Sequence, residues 1–349
     1  MGHPFPQTAR LLVALLAFAA AVFGGCGFNT EEGGGSGEPD VEGITLYSGR
    51  IPAAIGPAID SYEAQADRDV KVRFAETADL AATLVEEGDA SPADVIFAQE
   101  PGAIATLDEA GLLAKLPKDI LDRVEPRFHD PFGRWVGVTG RARVIAYNRE
   151  IITESEVPRA PFGLTAPRWK DRVGWSPASS SMQEFVTALR AWYGDRITGQ
   201  WLKKMVENGA VAFPDNVTIR DAIAKGEIDL GLINHYYVAQ AIAAEGDDYP
   251  VAVYFPPRGL GSLMLLTSVG VLESSDRKPE AFAFIRSLLS DKSQTFFTSS
   301  SKEYPLARGV KRDPSLSVPL MKIPASDSSA VDLKEIQGTI ELMQESGAL

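Results

Sequence analysis

The sequence predicts an α/β protein with two lobes around a hinge. Strand-like runs alternate with stretches of helical spacing from Ile44 onward, which is typical of a mostly parallel sheet with helices on both faces. The chain has 349 residues and 45% apolar content, so its length favours two domains. Two apolar segments lie far apart in the chain, GRARVIAYN at 140–148 and GSLMLLTSVGVL at 261–272. Each is long enough to pass from one lobe to the other, so together they predict a hinge.

The first hundred residues predict three strands with helices between them. The strand-like runs are ITLYSG, DVKVRF and DVIFAQE, and the helical spacing between them falls on Ile55, Ile59, Tyr62, Leu80 and Leu84. Ligands of such sheets lie beyond the carboxyl ends of the strands. Residues 48–51 and 99–102 occupy such ends, so we expect part of a binding site there.

The middle of the chain combines a strand with a serine-rich helix start. In RVGWSPASSSMQEFVTALRAWYG, a strand runs into Ser179, Ser180 and Ser181, and a helix follows. The first turn of a helix has free backbone N–H groups, and together with three hydroxyls it forms a cradle for an anion. Plain N-capping, which needs only one serine, stays open as the alternative. Further on, PEAFAFIRSLLSDKSQTFFTSS predicts one amphipathic helix, and a last helix begins at about Asp332.

The N-terminal residues are typical of an export signal. Arg10 precedes an apolar run at 11–23, which two glycines and Cys26 follow. The run is too short to span a bilayer. We expect residues 1–25 to be a signal peptide, Cys26 to carry a lipid anchor as in a bacterial lipobox, and 26–42 to be a flexible linker. An ordinary secretory signal with an incidental thiol is the alternative.

The charge and the cysteine content exclude several kinds of function. The formal net charge is -13, and it becomes -14 without residues 1–25, which hold Arg10 and no acidic residue. We do not expect so acidic a chain to bind nucleic acid. Cys26 is the only cysteine in the sequence, so it offers no internal disulfide and no cysteine metal cluster.

Tyr236 and Tyr237 suggest a metal ligand more directly than any other residues. They stand side by side in GEIDLGLINHYYVAQ, where a buried strand should end and a helix begin, so both phenol oxygens can face one cleft. Phenolate is a hard anionic donor that suits ferric iron better than zinc or copper(I). Packing and hydrogen bonding are the alternative role of such a pair. Strand alternation puts His235 on the opposite face, behind the ligands or at the surface, and His129 in RFHDPFG is expected in solvent.

Five motifs spread over residues 46–306 occur together in this chain. They are LYSGR, SPADVIFAQEPGAIATL, WVGVTGRARVIAYN, FPDNVTIRDAIAKGEIDLGLINHYY and KEYPL. Their combination resembles the bacterial ferric-iron-binding proteins of ABC importers. The resemblance implies a two-lobed periplasmic-binding-protein fold of type II, with transferrin-like lobes and two interlobe crossing strands. Lobe 1 would comprise 43–140 plus about 267–317, and lobe 2 about 141–266 plus 318–349.

The resemblance also implies a ferric site around the tyrosine pair. Tyr236 and Tyr237 fall on the paired iron ligands of the family. The histidine and glutamate that some members add from the first lobe fall on Ile51 and Gln99, so that ligand set is broken here. Other members take a third tyrosine from the first interlobe strand, where this chain has Tyr147. We therefore expect three phenolates to bind Fe(III), which would neutralise its charge in a partly desolvated cleft.

A synergistic anion, carbonate or phosphate, is implied as the filler of the remaining coordination positions. The residues that match its site are Ser179, Ser180, Ser181, Asn216 and Asn234. Arg50 is a further candidate, because its planar guanidinium can hold two anion oxygens at once. Arg141 and Arg143 are expected behind the ligands, with the alternative that one of them lines the hinge or pairs with a carboxylate. Gln99 and Glu100 are expected near the metal, in direct contact or through water.

The expected function is therefore the capture of Fe(III) outside the cytoplasm. The lobes would close on the ion, and an ABC permease would read the closed form. We expect a monomer without catalytic activity, anchored to the outer face of the cytoplasmic membrane, in a periplasm or at a cell surface.

Two other functions stay open from the sequence. The same fold could bind an organic solute such as a polyamine or thiamine, and a cationic solute would need an aromatic box with acidic residues. The chain could also be a surface-anchored enzyme. Against catalysis, the sequence contains no nucleophile elbow and no H-E-x-x-H motif, and His129 and His235 are the only histidines beyond the signal segment.

Overall fold

The computed structural model of the chain describes residues 43–256, 263–323 and 336–349. The expected signal peptide, Cys26 and the linker up to residue 42 lie outside these residues. None of the helices in the described part combines the length and the hydropathy of a membrane span.

The strands follow the apolar runs of the sequence. In chain order they are β1 Ile44–Ser48, β2 Val70–Phe74, β3 Val95–Ala98, β4 Trp135–Asn148, β5 Val173–Trp175, β6 Val211–Ala212, β7 Leu230–Asn234, β8 Val251–Tyr254, β9 Met264–Val271 and β10 Tyr304–Pro305. Strands β3, β4, β7 and β9 are buried along their whole length, as expected for strands covered on both faces.

The helices lie between these strands in an α/β order. They are α1 Pro52–Ala66, α2 Thr77–Glu87, α3 Pro101–Glu109, α4 Lys118–Leu121, α5 Ser180–Glu207, α6 Asn216–Ala224, α7 Tyr236–Glu245, α8 Lys278–Leu288, α9 Asp291–Ser301 and α10 Ile336–Glu345. A kink at Gly194, whose φ is 76°, divides α5 into two helical segments. The prediction of a single amphipathic helix over PEAFAFIRSLLSDKSQTFFTSS was wrong, because the chain forms two helices there, α8 and α9. The break has a local cause, since Ser290 accepts a hydrogen bond from Ser293 N and starts a new helix.

The strands of the described residues form one sheet in the order β2-β1-β3-β9-β4-β7-β5-β6, with β8 and β10 also paired to β4. Strands β1, β2 and β3 are parallel to one another, and so are β5, β6 and β7. Every pairing of β4 and β9 is antiparallel. The prediction of a mostly parallel sheet was therefore wrong at the centre, where the sheet is mixed.

The two predicted crossing strands are β4 and β9, and they connect the two halves of the sheet. The first part of β4 pairs with β9, from Trp135 opposite Gly270 to Ala142 opposite Met264. Its second part pairs with β7 and β8, beginning at Arg143 opposite Asn234. One continuous strand thus belongs to both halves.

Two hydrophobic cores flank this central region. The first extends from β1 to β3 through β4 and β9 to α6 and α7, and it includes Phe97 and Phe284. The second surrounds Trp201, whose ring centroid lies 6.2 Å from that of Trp175 and 6.0 Å from that of Phe185. Helix α10 packs on α5 at the second core, where Met343 is buried and the Thr187 and Thr339 hydroxyls lie 2.7 Å apart. The lobe boundaries stay a prediction.

The topology brings three helix starts to one edge of the sheet. Strands β5, β6 and β7 are parallel neighbours, and α5, α6 and α7 follow them in turn. Each of these helices therefore begins at the carboxyl edge, which is where ligands of such sheets bind.

Candidate metal centre

The tyrosine pair forms the first turn of α7, directly after β7, as the sequence predicted. The ring centroids of Tyr236 and Tyr237 lie 4.3 Å apart with 36° between the ring planes. Both rings are partly exposed, whereas Val238 behind them is buried. Burial raises the pKa of Tyr237 above its ordinary range, and the charge and hydrogen bond of Tyr236 raise it further, against Arg141 and Arg143. Without a metal, this phenol keeps its proton at neutral pH.

Arg143 is fully buried under the pair and gathers three of the predicted anion residues. Its Nη1 lies 3.1 Å from Ser181 Oγ, 3.1 Å from Asn216 Oδ1 and 3.4 Å from Asn234 Oδ1. Its Nη2 donates to the Leu232 carbonyl at 2.8 Å. Burial lowers the pKa of Arg143 to about 10, and the tyrosine pair opposes this effect. The guanidinium therefore stays charged at neutral pH.

Arg141 connects β4 with the residues that follow β3. Its Nη2 donates to the Gln99 carbonyl at 2.7 Å, and Gln99 Nε2 donates to Glu100 Oε1 at 3.2 Å. Burial opposes the charge of Arg141, but Glu184, Glu303, Glu100 and Tyr236 together hold its pKa above the ordinary value. Arg141 thus lies within electrostatic reach of both Glu100 and Tyr236.

Glu184 is a residue of this site that the sequence reasoning missed. It lies on α5 one turn after the serines and is 4% exposed. Its Oε1 is buried and has no hydrogen-bond partner within the described ranges. Burial raises its pKa to about 8, with Arg141 and Arg143 acting in the opposite direction. An acidic residue on the buried face of a helix, between Met182 and Phe185, was the available signal.

The three serines have different roles at the start of α5. Ser179 is the N-cap residue, but its hydroxyl donates to the Ser176 carbonyl at 2.8 Å and does not cap the first turn. Ser180 is exposed, and the Ser181 hydroxyl accepts a hydrogen bond from Arg143 Nη1. Plain side-chain capping by Ser179 is thus not what this helix uses, and its first backbone N–H groups stay available to a ligand.

Arg50 forms an ion pair with the carboxylate of Glu303. Arg50 Nη1 lies 2.9 Å from Glu303 Oε2 and 3.3 Å from Thr267 Oγ1. Thr139 Oγ1 donates to the same carboxylate oxygen at 2.5 Å. We call this group of four residues the Glu303 cluster, and two of its members, Thr139 on β4 and Thr267 on β9, lie on the crossing strands. An anion at Arg50 would have to compete with Glu303.

The structure does not bring Tyr147 to the tyrosine pair. Tyr147 pairs with Leu230 at the beginning of β7, whereas the pair follows Asn234 at its end. At about 3.3 Å per residue, Tyr147 lies about 13 Å along β4 from Arg143, in the direction away from the pair. Its ring belongs to the second core and borders a cavity that Arg149 and Glu154 also line. The predicted set of three tyrosines is therefore not assembled here.

The histidines are not placed as metal ligands. His235 is buried, its Nδ1 accepts from Ala142 N at 3.1 Å, and its Nε2 donates to the Lys302 carbonyl at 3.1 Å. Burial lowers its pKa to about 4, so it is neutral. The expectation of a surface position was wrong, whereas a position behind the ligands agrees with these contacts. His129 is half-buried, and its Nδ1 lies 2.8 Å from the Asp130 carbonyl oxygen.

Carboxylates, imidazoles and thiolates alone do not make a metal site in this part of the chain. No three such groups come together in a suitable arrangement among the residues described. A metal centre at the edge of the sheet would need the phenol oxygens.

Comparisons with known proteins agree with this picture. Residues 44–300 match a family described as bacterial extracellular solute-binding protein. The Fe(3+)-binding periplasmic protein of Serratia marcescens is 32% identical over 311 residues, which cover 88% of this chain and 91% of that protein. The crystal structure of iron-bound HitA from Pseudomonas aeruginosa has 32% identity and a TM-score of 0.75, with coverage of 88% and 99%. A Trichodesmium protein in complex with iron and citrate has 25% identity and a TM-score of 0.76, with coverage of 87% and 99%.

Proposed function

Since the chain belongs to the bacterial extracellular solute-binding proteins, within the group of ferric-iron-binding relatives, we propose that it captures Fe(III) outside the cytoplasm for import. Its two-lobed α/β fold is the fold of these relatives. The observation that carries the proposal is the Tyr236–Tyr237 pair at a helix start, above two buried arginines. Two phenol oxygens at one edge are a donor set for a hard cation.

Iron binding at the pair exchanges protons for metal. Because burial raises the pKa of Tyr237, Fe(III) must displace its proton, and metal affinity falls as the pH falls. Arg141 and Arg143 oppose that burial effect and favour the ionised phenol. The arginines thus lower the cost of forming the phenolate that holds the ion.

A synergistic anion is proposed to complete the coordination. Two guanidinium groups and a ferric ion would leave an excess of positive charge in a desolvated site, and such an excess is costly. The starts of α5 and α6 point to the same edge, where backbone N–H groups favour negative charge. Carbonate or phosphate would bind there beside Ser180, Ser181, Asn216 and Asn234.

Delivery is proposed to depend on closure of the lobes. The bond from Arg141 to the Gln99 carbonyl ties the crossing strand β4 to the facing edge. Gln99 and Glu100 would approach the ion from that edge, directly or through water. The closed form would dock as a monomer on an ABC permease, with Cys26 as the lipid anchor at the outer face of the membrane. No catalytic role is proposed, since the family binds solutes.

The proposal is tested by the visible spectrum of the protein during iron titration. We would express residues 27–349, remove metal, and titrate with ferric citrate in the presence and absence of bicarbonate or phosphate. Phenolate bound to Fe(III) gives a broad charge-transfer band. We expect a stoichiometric band that depends on the anion and is lost in Tyr236→Phe and Tyr237→Phe.

Two further tyrosine variants make the test specific. Tyr193→Phe is the matched control, because Tyr193 is exposed on α5 away from the pair. Tyr147→Phe tests the third tyrosine, and the strand register leads us to expect an unchanged band. A band that persists in Tyr236→Phe, or no band with any anion, would overturn the iron proposal.

A further inference from the structure

Glu184 has a buried carboxylate oxygen that the described residues leave without a partner. No hydrogen bond reaches its Oε1, and Glu184 forms no ion pair with the residues that the structure describes. A buried carboxylate without partners is costly, so native proteins rarely retain one without a ligand or a functional reason. Glu184 therefore calls for an explanation.

The two neighbouring arginines do not supply that explanation. Arg143 directs its nitrogens to Ser181, Asn216, Asn234 and a backbone carbonyl. Arg141 donates to the Gln99 carbonyl. Their charges act on Glu184 through space, but neither guanidinium bonds to it. The carboxylate therefore stays free for another group.

The position of Glu184 directs it toward the start of α5. Side chains of a helix tilt toward its N-terminus, so Glu184 points back over Ser180 and Ser181, one turn earlier. That turn lies at the same sheet edge as the tyrosine pair, because β5 and β7 are parallel neighbours. Arg141 and Arg143 act electrostatically on both Glu184 and Tyr237, which links the carboxylate with the pair. We call these residues the tyrosine cluster: Glu184, Arg141, Arg143, Tyr236 and Tyr237.

The charge of Fe(III) exceeds the charge of two phenolates, and the carboxylate of Glu184 can balance the difference. Two phenolates leave one positive charge on Fe(III), and Tyr147 is not at hand to balance it. We propose that the carboxylate of Glu184 is the third anionic oxygen ligand of the ferric ion. A carboxylate oxygen is as suitable as a phenolate for a hard cation. This inference rests on the proposed function, since it assigns a ligand in the same site.

The test compares iron binding by the full soluble chain, residues 27–349, with that of Glu184→Gln. Loss of an outer partner of a metal ligand lowers metal affinity by about 10- to 100-fold, so loss of a ligand should exceed about 100-fold. The neutral amide also makes the bound iron more electron-poor. We therefore expect the phenolate charge-transfer band to move to longer wavelength at unchanged phenolate stoichiometry, with an altered electron paramagnetic resonance signal of the ferric ion.

Two variants separate coordination from folding. Glu207→Gln, on the exposed far end of α5, is the matched control and should bind iron as the parent does. Glu184→Ala opens room for an added carboxylate, so acetate should restore the band position and part of the affinity. At a pH above the raised pKa of Glu184, the thermal midpoint of metal-free Glu184→Gln should equal or exceed that of the parent, because a buried charge without partners is removed.

The outcomes also distinguish this inference from the proposed function. If the parent shows the band and Glu184→Gln keeps its affinity, band position and resonance signal, Glu184 is not a ligand and the iron function stands. If only the requirement for bicarbonate or phosphate changes, Glu184 serves the anion site, and direct coordination is refuted. If the parent shows no band, the proposed function itself fails.

Discussion

Two buried charged clusters of this molecule differ in how many of their charged groups have hydrogen-bond partners. In the Glu303 cluster, the carboxylate is bonded to Arg50 and Thr139, and Thr267 contacts the same guanidinium. In the tyrosine cluster, Glu184 Oε1 and the Nε atoms of Arg141 and Arg143 lack hydrogen-bond partners among the described residues. In the Glu303 cluster, Arg50 Nε is the one such atom among these residues. We therefore expect the Glu303 cluster to act in stability and the tyrosine cluster to act in ligand binding.

The largest effect is expected from breaking the Glu303 cluster. Glu303→Ala leaves the buried Arg50 without its partner, which should lower the free energy of unfolding by about 3–5 kcal/mol. Urea denaturation of the metal-free protein measures this loss. The iron-induced rise of the thermal midpoint should remain in the folded fraction. An unchanged urea midpoint would show that Glu303 does not stabilise the fold, and it would refute the contrast between the two clusters.

The two buried glutamates should give opposite dependences of stability on pH. Burial raises the pKa of Glu184 to about 8, so its contribution is present below the ordinary value of 4.5 and is lost as the pH rises through 8. Although burial opposes it, Arg50 and Arg141 hold the pKa of Glu303 below its ordinary value. The contribution of Glu303 is present above 4.5 and is lost as the pH falls through that lowered pKa.

Denaturation of the metal-free parent, Glu184→Gln and Glu303→Gln across this pH range measures both contributions. The stability of the parent relative to Glu184→Gln should fall by a few kcal/mol from acid to alkaline pH, and relative to Glu303→Gln it should rise in acid and then stay level. Parallel curves for all three proteins would refute the assignment.

The smallest effects sharpen the same contrast with single hydroxyl groups. Thr139→Val removes a hydrogen bond to a buried carboxylate, which should cost about 1.5–3 kcal/mol of unfolding free energy. Ser181→Ala should cost less than about 1 kcal/mol, because Arg143 keeps Asn216 and the Leu232 carbonyl and water can replace the half-buried hydroxyl. It should weaken the anion dependence of iron binding instead. Equal losses of stability from both variants would contradict the distinction.

Local signals predicted much of the fold and part of the site. The change from an apolar run to a helical spacing placed Tyr236 and Tyr237 at the end of β7, and the structure confirms this. The two long apolar segments predicted β4 and β9. Such features depend on neighbouring residues, so a single sequence is enough to identify them.

Other features depend on positions far apart in the chain, and the sequence could not provide them. Arg50 and Glu303 are 253 residues apart, so no local pattern predicts that they pair. Tyr147 was predicted as a ligand from its strand, but only the register with β7 reveals how far along the strand it lies. The importance of Glu184 appears only once α5 is packed beside β7. The sheet was predicted as mostly parallel because strand β9, which makes its centre mixed, arrives from a distant segment.

That late strand also sets the order in which the molecule can be completed. Strand β9 lies between β3 and β4, so these strands have no mutual pairing and wait for residues 264–271 of a chain of 349. Most of the polypeptide must leave the ribosome before the central ladder can close. The ladder through β3, β9 and β4 therefore forms only after the strands on both of its sides have been synthesised. The position of one strand thus sets the earliest stage of synthesis at which the hinge can form.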